Sequence, residues 1–157
     1  MLKRFVSAAK TIVFPLILGV LTGFLIRNDT GLYKVLIRPP FALPANLFAP
    51  VWSVLYLLMG VSLYLFRRST TDISLRSEGQ LLFVIQLFFN LLWPIVFFKL
   101  RWFLSAFGLL VLLFVFILLT VAHFYKANRI SGVLLLPYLF YTVYAGYLNL
   151  AIYLLNQ

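Results

Sequence analysis

The sequence predicts an all-α membrane protein with five transmembrane helices, and three observations support that class. The composition is 64% hydrophobic and 10% charged with a mean hydropathy of +1.08, which excludes an ordinary soluble domain. Several apolar runs reach the roughly 17 to 25 residues that a helix needs to span a bilayer. These runs also lack the alternation of apolar and polar residues that marks membrane β-strands. The predicted spans are residues 6–26, 47–66, 80–98, 103–125 and 132–155.

The first span follows a basic stretch, as a secretory signal would. Lys3, Arg4 and Lys10 precede the apolar run, but no cleavage site of small residues comes after it. We therefore predict a permanent helix. Gly19 and Gly23 form a GxxxG step, which lets another helix backbone approach closely. Two interpretations remain open for that step, packing within one chain and a seam between two chains.

The connection between the first two spans, residues 27–46, differs from the short connections elsewhere. It contains Pro39, Pro40 and Pro44, which fix φ and remove amide donors. We therefore expect an extended or turned course across one end of the helices. Loops longer than about 12 to 15 residues are often functional. The loop is interpreted either as a lid or as a simple connector.

Three spans carry a stripe of aromatic and polar residues at helical spacing. Gln86 and Asn90 are polar residues inside an apolar span, where an unpaired amide costs several kcal/mol, so both need partners. If the stripes converge, they line a cavity suited to a large planar apolar ligand. The alternative is that the aromatic residues form interfacial belts and the amides join helices. The stripes are Trp52, Tyr56, Met59 and Gly60; Gln86, Asn90 and Trp93; and Tyr138, Tyr141, Ala145 and Asn149.

The net charge of +10 is explained by where the charges lie. The cations cluster near the ends of the spans, which indicates membrane topology and contacts with anionic lipid, and no nucleic-acid binding. Their distribution favours an N-terminus in the cytoplasm. One side is predicted to carry Lys3, Arg4, Lys10, Arg67, Arg68, Arg76, Lys126 and Arg129, and the other Arg27, Lys34, Arg38, Lys99 and Arg101.

The sequence contains few residues suited to acid–base catalysis or to metal binding. Asp29, Asp72 and Glu78 all fall in predicted loops, so no carboxylate lies in a span for acid–base chemistry. His123 is the single histidine, and cysteine is absent, which excludes disulfides and thiolate metal sites. We expect no metal site and no glycine-rich phosphate loop.

The same residues, in the same order, resemble a known family. The sequence is similar to the TspO/MBR family, which comprises the tryptophan-rich sensory proteins and the mitochondrial translocator protein, or peripheral benzodiazepine receptor. The resemblance covers nearly the whole chain. It is carried by Tyr33, Arg38, Pro39, Phe41, Pro44, Phe48, Pro50, Trp52, Tyr56, Met59, Gly60, Gln86, Asn90, Trp93, Phe97, Phe98, Pro137, Tyr138, Tyr141, Ala145, Tyr147, Asn149, Ile152 and Asn156.

This resemblance implies a compact bundle of five transmembrane helices, a homodimer, and a pocket closed by the loop after the first helix. It implies binding of protoporphyrin IX or a related tetrapyrrole, or of benzodiazepine-site small molecules, with membrane lipid as a partner and no required cofactor. We expect an integral protein of a bacterial cell membrane with a sensory or transport-like role. The implied ligand-binding residues are Pro44, Phe48, Trp52, Tyr56, Asn90, Trp93, Tyr141 and Ala145.

Two alternative functions follow from the same resemblance. One is degradation of porphyrin in light, for which Trp52 would be the reactive residue. Tyr141 stands where relatives often have a second tryptophan, which makes degradation the weaker hypothesis. The other is a regulatory partner protein whose pocket holds lipid or sterol. The sterol-type pattern at the C-terminus requires a cation after Tyr153, and the residues that follow supply none.

Overall fold

The computed structural model describes residues 2–69 and 72–157, with side chains from residue 8 onward, and within these ranges it contains eight helical segments. In the described residues these segments form five spans that are long and apolar enough to cross a bilayer, so the prediction of an all-α membrane protein with five spans is confirmed. The segments are α1 (Leu2–Ile26), α2 (Leu32–Val35), α3 (Ala45–Ser69), α4 (Ile73–Pro94), a π-helical turn (Ile95–Lys99), α5 (Phe103–Ala127), α6 (Arg129–Val133) and α7 (Leu136–Leu155).

Several helices extend beyond the apolar runs that the sequence shows. Helix α4 begins well before Gln80 because the Asp72 carboxylate caps it, accepting a hydrogen bond from the Leu75 amide at 3.1 Å. The last span is split between α6 and α7, and Pro137 lies in the first turn of α7, where its missing amide donor is not needed. Lys3 and Arg4, which enter the charge-based orientation, lie outside the described side chains.

Helix α1 packs mainly on α3, and the closest approach is not made by the GxxxG step. A Cβ atom on Gly60 of α3 would overlap the backbone carbonyl of Ile12, so the two backbones touch there. A Cβ atom on Gly19 would overlap the ring of Tyr56, whereas one on Gly23 would meet nothing within 4 Å. Gly19 therefore serves packing within the chain, and Gly23 faces outward.

The end of the bundle that holds the N-terminus of α1 is closed by aromatic stacking and paired hydroxyls. Phe66 stacks on Phe124 with ring centroids 4.0 Å apart. Ser62 of α3 donates to the Ser131 carbonyl at 2.7 Å, and Ser131 of α6 donates back to the Ser62 carbonyl at 2.7 Å. These reciprocal bonds fasten α6 to α3 inside the apolar core, where unpaired hydroxyls would destabilise the fold.

Helix α5 packs against α4 and α7, while α3 and α7 approach each other less closely. The space between α3 and α7 is filled by aromatic rings from both helices and from α4. This wider gap, at the end of the bundle covered by residues 27–46, holds the candidate site.

Candidate ligand-binding site

Residues of all three predicted stripes meet in the interior, with Trp52 of α3 at their centre, whereas Gly60 of the first stripe lies against Ile12 of α1 instead. Its indole lies 5.3 Å from the ring of Tyr141, edge to face, and 6.3 Å from the indole of Trp93. The rings of Tyr56 and Tyr138 lie 5.7 Å and 6.2 Å away. Such separations are within the range of favourable aromatic pairs. Trp52 is half-buried, so one part of its surface borders free space.

Beneath Trp52, a chain of hydrogen bonds explains the polar residues of α4. The Tyr56 hydroxyl donates to Asn90 Oδ1 at 2.6 Å, and Asn90 Nδ2 donates to the Tyr138 hydroxyl at 2.9 Å. That hydroxyl donates in turn to Gln86 Oε1 at 2.8 Å. All four side chains are buried. The network joins α3, α4 and α7, and so forms a rigid base under the site.

The indole of Trp93, the second tryptophan of the site, is held by the side-chain amide of Asn149. Trp93 Nε1 donates to Asn149 Oδ1 of α7 at 2.9 Å, and Asn149 Nδ2 donates to the Phe103 carbonyl at 2.7 Å. The π-helical turn directly after α4 places Phe97 and Phe98 beside Trp93, with ring centroids at 5.7 Å and 6.4 Å. The orientation of the Trp93 ring is therefore fixed from two sides.

A small hollow remains among these side chains. Its volume is about 20 Å³, which is room for about one water molecule. The site is thus closed, because the aromatic rings that line it pack close to one another. The lining residues are Tyr33, Phe48, Trp52, Trp93, Phe97, Phe98, Tyr141, Tyr144, Ala145, Leu148, Asn149 and Ile152.

One polar group at the hollow lacks a partner. The Tyr141 hydroxyl oxygen is buried and forms no hydrogen bond with any residue that the structure describes. Buried polar groups are nearly always paired, and an unpaired one costs about 1 to 3 kcal/mol. The Tyr141 hydroxyl is therefore available to a ligand that enters the hollow.

The loop of residues 27–46 covers the hollow and is tied to α7 by tyrosines. The Tyr144 hydroxyl accepts from the Leu43 amide at 2.8 Å and donates to the Phe41 carbonyl at 3.0 Å. Tyr147 donates to the Pro40 carbonyl at 2.9 Å. Directly after α7, Asn156 accepts from the Ile37 amide and donates to the Ile37 carbonyl, each at 2.9 Å. These bonds hold the part of the loop from Ile37 to Leu43 against the bundle.

Tyr33 of α2 fastens the loop from its inner side. Its hydroxyl donates to the Leu43 carbonyl at 2.9 Å, and its ring packs edge to face on Phe48 at 5.1 Å. Burial, together with the nearby Tyr144, raises the pKa of the Tyr33 hydroxyl, although Arg38 opposes the shift. Tyr33 therefore keeps its proton, and this hydrogen bond, at neutral pH.

Replacing Tyr144 with phenylalanine is expected to loosen the loop without unfolding the bundle. The change removes two hydrogen bonds, each worth about 0.5 to 1.5 kcal/mol, so exchange of the Leu43 amide hydrogen should rise by about tenfold. Hydrogen–deuterium exchange would measure it. Tyr153→Phe is the control on the same helix, because the Tyr153 hydroxyl has no partner among residues 2–69 and 72–157. Equal exchange rates of the Leu43 amide in the two variants would show that the Tyr144 hydroxyl does not hold the loop.

The structure brings most of the predicted ligand-binding residues to the hollow. Phe48, Trp52, Trp93, Tyr141 and Ala145 line it. Three others do not: Tyr56 and Asn90 lie below it in the hydrogen-bonded base, and Pro44 is exposed at the start of α3. Asn149, a member of the third predicted stripe, also lines the hollow, and the lining residues that no stripe or implied site included are Tyr33, Phe97, Phe98, Tyr144, Leu148 and Ile152.

His123 and Glu78 do not line this site. His123 lies at the far end of α5, with Nε2 3.5 Å from Glu78 of α4. In the described part of the chain, no three side chains of His, Cys, Asp or Glu come together as metal ligands would.

Comparison with known proteins agrees with this architecture. Residues 11–155 match the TspO/MBR family. The chain is 34% identical to the tryptophan-rich protein TspO of Archaeoglobus fulgidus over 93% of its own length and 94% of that protein. It is 36% identical to the tryptophan-rich protein TspO of Chlorobaculum tepidum, covering 79% and 78%, and 31% identical to the translocator protein of Bos taurus, covering 80% and 75%. The chain therefore belongs to the TspO/MBR family of integral membrane proteins.

Proposed function

We propose that this protein binds a porphyrin, of the protoporphyrin IX type, in the hollow beneath the loop, and that binding serves a sensory or transport-like role in the membrane. The observation that carries the proposal is the cluster of rings around Trp52, which borders a closed, apolar space under a loop held by hydrogen bonds. Flat ring surfaces offer stacking contacts to a planar macrocycle.

The polar groups of the site also suit a tetrapyrrole. Protoporphyrin IX presents a wide apolar face and carboxylates at one edge. The hollow offers aromatic walls to the face, and the unpaired Tyr141 hydroxyl is a hydrogen-bond donor for an edge group. Arg38, whose guanidinium lies 5.5 Å from the Tyr33 ring, brings a positive charge to the loop above.

Binding requires the site to open. Pockets for drug-sized ligands measure about 300 to 1,000 Å³, so the hollow of about 20 Å³ represents a closed state. The hydrogen bonds from Tyr144, Tyr147 and Asn156 to the loop are the contacts that must break. The buried base of Tyr56, Asn90 and Tyr138 can remain intact. A ligand that prefers the open state would shift the population toward it.

The test is a titration of purified protein with protoporphyrin IX in the dark, followed by illumination. We expect saturable quenching of tryptophan fluorescence and an unchanged porphyrin absorption band in light. Loss of that band during illumination would indicate the degrading enzyme instead. Absence of saturable quenching would overturn the proposal and favour a pocket that holds lipid or sterol.

A pair of tryptophan variants locates the binding. Trp52→Ala should weaken porphyrin binding by about tenfold or more, since aromatic stacking is worth about 1 to 3 kcal/mol. Trp102→Ala is the matched control, because Trp102 is exposed and does not line the hollow. Porphyrin absorbance, rather than tryptophan emission, would report affinity in both variants. Equal weakening in both would place the ligand elsewhere.

Removal of the Tyr141 hydroxyl is expected to weaken porphyrin binding without lowering the stability of the protein. Tyr141→Phe should weaken porphyrin binding by about tenfold, because a hydrogen bond to a charged group contributes about 1.5 to 3 kcal/mol. The unliganded protein should be as stable as before, or more so, since the hydroxyl has no partner among the described residues. Dark titration and thermal unfolding would measure the two effects. Unchanged affinity would exclude Tyr141 as a ligand contact.

We further propose a bacterial cell membrane, a cytoplasmic N-terminus and a homodimer. The orientation follows the charge distribution, and Lys10, Arg67 and Arg76 do lie at one end of the bundle. Because the chain has no cysteine, single cysteines introduced at either end would report sidedness by labelling in intact cells. Labelling from outside at the Lys10 end would reverse the orientation.

A further inference from the structure

We infer that a groove between α1, α3 and α4, at the end of the bundle opposite the loop, binds the headgroup and upper acyl chain of an anionic phospholipid. The groove has a volume of about 240 Å³. It starts about 17 Å along α3 from Trp52, since Leu63 follows by eleven residues at 1.5 Å each. It is independent of the porphyrin site. Its lining residues are Lys10, Thr11, Phe14, Leu63, Arg67, Gln80, Phe83 and Val84.

Two cations at the groove have no carboxylate to neutralise them. Within the described residues, neither Lys10 nor Arg67 forms an ion pair. The chain has three acidic residues. Asp72 caps α4, and Glu78 is engaged by Ser74 at 2.8 Å and by His123 at 3.5 Å. The third acid, Asp29, lies beyond the other end of α1. Positive charge at the groove is therefore left for an external anion.

Arg67 forms hydrogen bonds with two neighbouring residues. One guanidinium nitrogen donates to Gln80 Oε1, another lining residue, over 3.4 Å, which is a long hydrogen bond. Arg76 donates to the Arg67 carbonyl at 2.6 Å, which brings a third cation to the same end. The remaining donors of the Arg67 fork can hold phosphate oxygens in the paired geometry that guanidinium groups favour.

The walls of the groove identify a lipid rather than a free anion. Phe14 and Val84 are 46% and 58% exposed, and they flank buried Leu63 and Phe83. A groove with cations at its mouth and apolar walls beyond matches the two parts of a phospholipid, a charged headgroup and an acyl chain. Cations at helix ends attract anionic lipids, each by about 1 kcal/mol.

The test is native mass spectrometry of the full chain in mild detergent, titrated with dioleoyl phosphatidylglycerol or dioleoyl phosphatidylcholine. Wild-type protein should retain phosphatidylglycerol more tightly, and Lys10→Gln/Arg67→Gln should weaken that binding by about tenfold or more. The control is Lys126→Gln/Arg129→Gln, which removes two exposed cations from the same end and should leave binding unchanged. Equal losses in both double variants would show general surface attraction and overturn the site.

Two further experiments test the acyl-chain contact and the preference for a lipid. Val84→Trp fills the groove from an exposed position, and it should weaken phosphatidylglycerol binding while both cations remain. Retention of wild-type affinity in that variant would overturn the acyl-chain contact. Inorganic phosphate should fail to displace the lipid at equal concentration, and efficient displacement would contradict a lipid site. Thermal unfolding of each variant would confirm that a loss of lipid does not reflect a loss of fold.

Discussion

Replacing Asn90 with leucine is expected to destabilise the bundle by about 2 kcal/mol and to weaken porphyrin binding. Asn90 joins three helices, because it accepts from Tyr56 of α3 and donates to Tyr138 of α7. Leucine is of similar size, so the loss comes from hydrogen bonding and not from a cavity. The Tyr56 hydroxyl would be left buried without its acceptor, and that desolvated group is the main cost. Thermal or denaturant unfolding in detergent would measure the change.

A second substitution tests whether the unpaired hydroxyl causes that loss. Tyr56→Phe removes the stranded group, so the double variant Tyr56→Phe/Asn90→Leu should be more stable than Asn90→Leu alone. Asn46→Leu is the control, since Asn46 is exposed in the first turn of α3. If the double variant loses the sum of the two single losses, the hydrogen bond between Tyr56 and Asn90 does not hold these helices together.

Gly60→Ala is expected to have the largest effect on stability, about 3 kcal/mol or more. The added methyl group would overlap the carbonyl of Ile12, and a backbone atom cannot move aside as a flexible side chain can. Helices α1 and α3 would have to separate along their length, and the apolar contacts between them would weaken. Unfolding in detergent, monitored by circular dichroism, would give the change in free energy.

Two other glycines provide a graded control. Gly23→Ala meets nothing within 4 Å, so it should be neutral or should stabilise α1 by up to about 1 kcal/mol through helix propensity. Gly19→Ala should fall between the two, because it displaces the Tyr56 ring, which is held by Asn90. The same loss at Gly60 and Gly23 would mean that the close contact between α1 and α3 is absent.

The five spans and the inward direction of the stripes could be predicted because both depend on local patterns. Apolar length identifies each span, and the spacing of Gln86, Asn90 and Trp93 fixes a common helix face whatever the neighbours are. The cost of an unpaired amide then required partners, and the structure supplies Tyr56 and Tyr138 for Asn90 and Tyr138 for Gln86 Oε1. Gln86 Nε2 has no partner among the described residues. Which residues would be the partners depended on how the helices are arranged, and no local pattern gives that.

Features that arise from contacts distant in sequence could not be predicted. The GxxxG step drew attention to Gly19 and Gly23, but the contact with a backbone is made by Gly60, whose neighbour Ile12 lies on another helix. Tyr144, three residues after Tyr141, shares its face and could have been assigned to the site by spacing alone. Its bonds to Phe41 and Leu43 could not, since those residues adopt no regular structure.

The size of the hollow was also beyond sequence analysis, because it depends on how individual rings pack. A set of aromatic stripes is compatible with an open cavity or with a nearly filled one. The structure shows the second case, about 20 Å³ between Trp52, Tyr141 and Ala145. The proposal of porphyrin binding therefore includes opening of the loop, which the sequence did not require.

A larger side chain at Ala145, which fills part of the hollow, tests most directly whether the ligand enters it. Ala145→Val adds two methyl groups at the lining, and Ala151→Val adds the same groups on α7 away from it. Dark titration with protoporphyrin IX should show affinity weakened by about tenfold or more for Ala145→Val. Overpacking at the buried Ala145 costs about 1 to 3 kcal/mol, so thermal unfolding of both variants must show that the titrated protein is folded. Ala151→Val should bind as the wild type does. Wild-type affinity in a folded Ala145→Val protein would contradict a porphyrin site between these helices.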